Sequence, residues 1–160
     1  MTFLVLGIAL FFGIHAVGSL GLRPAAVGAL GEGPWKGLYS LVSFVGLGLI
    51  AWGYGIARTS PTVVWLPPMG LRHLVLLLMV PVFPMLLAAY LPGRIQSTLK
   101  HPMLAATKLW AVCHLLANGM LADVLLFGTT LAWAVMVRIS LGRRQPRPIA
   151  MAPAGAEHAR

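Results

Sequence analysis

The sequence predicts an all-α fold, a polytopic bundle of about five membrane-spanning helices, and three observations carry that prediction. Hydrophobic residues make up 59% of the 160-residue chain and charged residues only 9%, a balance outside that of ordinary soluble domains. The apolar residues fall into five successive stretches parted by Pro, Gly or charge, most of them near the ~20 residues a helix needs to cross the hydrocarbon core. The net charge of +9 comes from a thin set of Lys and Arg placed between or beside those stretches. Basic residues so distributed set membrane orientation and exclude a nucleic-acid surface, on which they would gather in one water-facing patch.

The first stretch, Thr2 to Leu22, has no basic n-region and is longer than the apolar part of a secretory signal, so it reads as a retained span. RPAAVGALGEGPWK follows and is expected to lie along the headgroups, with Trp35 at the interface. Gly37 to Ala57 forms the second span, and RTSPTVVWLPPMG then dips into the opposite interface. Leu71 to Leu91 is the third, interrupted at VPVFP by Pro81 and Pro84, which remove backbone donors and predict a kink. The fourth, Pro102 to Ala117, is short and holds Lys108, whose flexible stem can snorkel to the surface. It joins the fifth, Met120 to Leu141, through the turn dipeptide Asn118-Gly119, as a tight helical hairpin. Residues 1–144 thus make one transmembrane domain, and residues 145–160 a Pro/Ala-rich basic tail expected to be disordered.

Five spans place nine basic residues on one side, Arg23, Lys36, Arg94 and Lys100 among them, and only Arg58 and Arg72 on the other. The rich side is expected to be cytoplasmic, leaving the N-terminus outside and the C-terminus inside. Cys113 is the single cysteine, so no intrachain disulfide exists.

An ionisable side chain inside a span costs at least about 2.5 kcal/mol at the helix centre, which makes His15 and His114 the leading candidates for chemistry. Helical spacing sets Gly7, Phe11, Gly18 and Ser19 on the face of His15, a face with room for a ligand or for a closely packed neighbour. Thr107, Trp110, Ala111, Ala117 and Asn118 accompany His114. Across the hairpin turn, Asp123 is placed to hold one imidazole nitrogen of His114, or else to serve the first turn of its own helix. His101, before Pro102, suits a capping or interfacial role, and His73 stands beside Arg72 at a span end.

Zinc-ligand spacing, a phosphate-binding glycine loop and paired carboxylates are all missing from the sequence. A small-solute transporter would ordinarily use several intramembrane acids, whereas Asp123 stands alone. A non-catalytic structural or assembly subunit without cofactor is a further alternative. Two neutral imidazoles in an apolar bundle suit a haem iron held between helices.

Five ordered segments, GIHAVGSLGLRP, KGLYSLVSFVGLGLIAWGYGIAR, LRHLVLLLMVP, AAYLPGRIQSTLKHPMLAATKLWAVCHLLANG and LLFGTTLAWAVMVRISLGRR, cover most of residues 4–144 and resemble the NnrU family of bacterial integral membrane proteins. The resemblance implies a multi-pass protein of the bacterial inner membrane, associated with nitrogen oxide metabolism in denitrifying bacteria. That family is similar to the plastid 15-cis-zeta-carotene isomerase, which uses haem b to isomerise a carotenoid double bond. The resemblance therefore implies haem b, a possible apolar polyene substrate and two histidine ligands. These are His15, in the first-span motif, and His114, thirteen residues after the histidine of the His-Pro motif, here His101. Asp123 would support His114, with His73 and His101 as reserve ligands. The isomerase pattern has a cysteine three residues before the second histidine; Ala111 stands there, so no cysteine ligand exchange is carried over.

Overall fold

The computed structural model describes residues 1–91 and 93–144; the tail at 145–160, expected to be disordered, lies outside the described residues. The described residues form eight helices: α1 (Thr2–Ser19), α2 (Arg23–Leu30), α3 (Glu32–Ala57), α4 (Met69–Met79), α5 (Val82–Leu87), α6 (Arg94–Leu99), α7 (Pro102–Ala117) and α8 (Leu121–Arg144). Among the described residues four segments are long and apolar enough to cross a bilayer: Thr2–Ser19, Glu32–Thr59, Met69–Leu87 and Leu121–Arg143. The expected fourth span is α7, with the bounds the sequence suggested. Its 16 residues rise only about 24 Å, short of the ~30 Å hydrocarbon thickness.

Two connections differ from the expectation. RPAAVGALGEGPWK is not one surface segment: Gly31, at φ 84°, ends α2 and starts α3 in a left-handed conformation that glycine adopts freely. Helix α3 thus begins at Glu32, five residues before Gly37, and Pro34 is tolerated because first-turn amides have no intrahelical acceptor. Trp35 is consequently buried against the protein, with 7% exposure. Glu32, in that first turn, pairs with Lys36 at 3.0 Å and with Arg23 at 3.8 Å. The third span is broken between α4 and α5 at Val80 and Pro81, as the prolines predict, and the helix stops at Leu87.

Packing runs as a row in space, α3 on α1, α1 on α8, α8 on α7, and α7 on α4 and α5. Helices α1 and α3 approach so closely that glycine is required where they cross. A Cβ on Gly7 would lie 2.6 Å from Ile50 N, one on Gly46 would lie 2.8 Å from Phe11 N, and one on Gly53 would strike the backbone of Leu4. Leu4, Ile50, Ala57 and Ala122 form the buried cluster at this end, where α8 joins the pair. Small residues serve this role in bilayers because lipid tails give no hydrophobic drive for helix association, and close van der Waals contact must supply it.

The loop between α3 and α4 has a partner in the fold. It lies as a strap on the α7–α8 turn, with Val64 N and Trp65 N donating to Gly119 O at 2.7 and 3.1 Å and Leu121 N donating to Thr62 O at 2.8 Å. Trp65 Nε1 donates to Asn118 O at 3.2 Å. Among the described residues, the bridge between Val63 and Met120 is the one extended pairing.

Candidate functional site

His15 lies on α1 where α3 and α8 flank it. Its Nδ1 is 2.7 Å from Phe11 O, one turn back, so Nδ1 carries the proton and Nε2 keeps the lone pair. Phe11 stacks on the imidazole at 4.3 Å, while Tyr39 of α3 at 5.2 Å and Trp133 of α8 at 6.1 Å fix it from the neighbouring helices. The ring lines a pocket of about 340 Å³ whose other walls include Trp35, Tyr39 and Ser40, with Arg23 and Lys36 beside them. A half-buried imidazole with one nitrogen anchored, an aromatic enclosure and two cations nearby can hold a metal or accept a proton from a ligand that has an anionic end. Trp133 Nε1 is buried and has no acceptor among the described residues.

His114 is set differently. Asn118 Nδ2 donates to His114 O at 3.0 Å, which fixes the amide orientation, and the same nitrogen lies 3.3 Å from His114 Nδ1. The imidazole therefore accepts at Nδ1 and bears its proton on Nε2, the tautomer opposite to that of His15. Phe127 of α8 stacks flat on it at 4.3 Å, and Trp110 meets it edge-on at 4.7 Å.

The hydrogen bond expected between His114 and Asp123 is not found among the described residues. Asp123 is 3% exposed, and its two oxygens accept from Tyr54 Oη at 2.5 Å and from Met120 N at 3.2 Å. As the third residue of α8 it reaches back to the residue before the helix, satisfying an orphan amide, while Tyr54 ties α3 to the same carboxylate. Asp123→Ala should cost about 1–3 kcal/mol, because Tyr54 Oη and Met120 N lose their acceptor, and Asp123→Asn should cost less. Reversible unfolding in detergent checks this, and equal costs for the two variants would contradict it.

Along α8, His15 packs at Trp133 and His114 at Phe127. Six residues of helix separate those levels by about 9 Å. Two nitrogens across one metal stand roughly 4 Å apart, twice a bond of about 2 Å. The fold thus brings His15 and His114 to different levels of the same helix. The reserve residues stand elsewhere: His73 is exposed near the start of α4, and His101 precedes α7 with its Nε2 buried and unpaired among the described residues. Among the described residues no three His, Cys, Asp or Glu side chains cluster as a metal site.

Sequence reading did not find Tyr39, Tyr54, Trp133 or the Arg23–Lys36 rim. One part of that rim has a sequence signal, the four-residue spacing of Glu32 and Lys36 on a helix. A family model described as NnrU protein matches residues 3–159. The chain belongs to the NnrU family. No curated protein and no solved structure matches it. For this NnrU-family chain, the family assignment and the apolar helices support a multi-pass membrane protein, in which His15 lines a pocket and Asp123 holds a separate hydrogen-bonded seam.

Proposed function

We propose that this NnrU-family chain is a haem b-binding membrane protein in which His15 supplies the protein ligand to the iron, in a role linked to nitrogen oxide metabolism. The observation that carries the reading is the anchored His15 imidazole lining a pocket flanked by Arg23 and Lys36. A backbone carbonyl on Nδ1 is the usual outer support of a ligating histidine, since it fixes ring orientation and leaves Nε2 basic. Arg23 and Lys36 suit the carboxylates of a porphyrin, and Phe11, Trp35 and Tyr39 exclude water from its apolar part. The unpaired Trp133 N–H supplies a donor near the same imidazole. Bound there, haem b would provide an iron centre for electron transfer or for holding a small oxide of nitrogen.

His114, with its proton on Nε2 and its ring at another level, is assigned to packing of the α7–α8 hairpin in this reading. The test is Soret absorbance per protein after expression with ample haem and purification in detergent. His15→Ala should lose most of the band and regain it with added imidazole, while His114→Ala should keep it. A wild-type protein without a Soret band, or a His15→Ala variant with full haem content, would refute the proposal. The first outcome would return the chain to a structural or assembly role.

A further inference from the structure

A second site lies on the membrane-facing side of the α1–α8 seam. An open groove of about 670 Å³ is walled by Leu20, Ala132, Val135, Met136 and Ile139 and ends at Arg143. The α8 residues follow the i, i+3, i+4 rule and make one continuous face. Ser140 Oγ donates to Ser19 O at 2.7 Å and closes the floor at the polar end.

We propose that this groove binds one acyl chain of an acidic phospholipid, whose phosphate pairs with Arg143. Length supports that occupant. From Ala132 to Arg143 the helix rises about 16 Å, half of the ~30 Å hydrocarbon core and so the depth of one leaflet. Polarity follows the same order, because apolar side chains line the part at acyl depth and the guanidinium stands where a headgroup would lie. Arg143 is exposed, and both ion pairs among the described residues use Glu32, so among those residues no carboxylate is paired with it. A guanidinium binds phosphate through two parallel hydrogen bonds, and it attracts most strongly a phosphate whose charge no choline in the same headgroup offsets. Charge also selects the lipid over a second copy of the chain. Among the described residues this end of the fold carries Arg23, Lys36, Arg138 and Arg143 against the acid Glu32, and two copies sharing the groove symmetrically would oppose like charges.

The site involves neither His15 nor haem, so it stands or falls independently of the proposed function. The full chain, purified in mild detergent, is offered phosphatidylglycerol and phosphatidylcholine with identical acyl chains, and bound lipid is counted by native mass spectrometry. Phosphatidylglycerol should be retained roughly fivefold more strongly, as one basic side chain at a membrane surface allows. Arg143→Gln should erase that preference, and Ala132→Trp, at an exposed position, should fill the groove and reduce the bound lipid of either kind. Equal retention of the two lipids by the wild-type chain, or an unchanged preference in Arg143→Gln, would overturn the proposal. A doubled mass without lipid would overturn it too, assigning the groove to a second copy.

Discussion

Gly53→Leu is expected to destroy the native pairing of α1 and α3, at a cost of about 3 kcal/mol or more. A Cβ at this position meets the backbone of Leu4 and Phe3, and Gly46 and Gly7 make equally close approaches along the same crossing. Overpacking normally costs about 1–3 kcal/mol because neighbouring side chains can shift; here the obstacle is main chain, so the whole of α1 must move. Its displacement would open the Leu4, Ile50 and Ala122 cluster and withdraw His15 from Tyr39. Gly48→Ala and Gly55→Ala are the matched controls, since their Cβ atoms would meet nothing within 4 Å. Those changes should be neutral or stabilise by up to about 1 kcal/mol through helix propensity. Denaturant titration in detergent with helicity as the signal compares all three, and a Gly53→Leu variant as stable as Gly48→Ala would disprove the crossing.

How much of this was legible beforehand depends on whether the information is local. Pro102 before an apolar run, and Asn118 after it, bounded α7, and Pro81 marked the break in the third span, because each acts through its own backbone. The placement of Gly7, Phe11 and Gly18 around His15 also followed from helical spacing alone. What could not be read was which partner a helix face would meet. Tyr54 and Asp123 are 69 residues apart, and no spacing rule links them. Asn118 was recognised as a companion of His114, yet its hold on Nδ1 depends on an amide orientation set by His114 O. Gly31 was visible as a residue, but not its φ of 84°, so the early start of α3 and the burial of Trp35 went unread.

Gly119→Ala should detach the strap from the α7–α8 turn. The sequence suggested that Gly119 serves the turn's own conformation, whereas the structure gives a second reason: a Cβ there would overlap Trp65 O, with Trp65 Cδ1 at 3.0 Å. Three backbone hydrogen bonds hold the strap, from Val64 N and Trp65 N to Gly119 O and from Leu121 N to Thr62 O. Each contributes a net 0.5–1.5 kcal/mol or so, and their joint loss with the Trp65 indole bond should cost about 2–4 kcal/mol locally. Hydrogen exchange at Val64, Trp65 and Leu121 should accelerate by about two orders of magnitude or more, while amides in the middle of α3 keep their protection. Unchanged exchange at those three positions would show that the strap tolerates the methyl group.

The row of helices puts the first and last long segments of the chain, α1 and α8, side by side. During synthesis the α1–α3 hairpin can close once Ala57 has entered the bilayer, long before α8 exists. Until then Tyr54 has no carboxylate to donate to, His15 has no Trp133 beside it, and the flank of α1 that α8 will cover faces lipid. On the α1–α3 hairpin alone the imidazole can already be anchored to Phe11 O, whereas its Trp133 neighbour has not yet been made. The pocket at His15, walled by residues of the first three helices, is therefore made before α8 arrives, and α8 adds Trp133 and the Asp123 seam to a hairpin already formed.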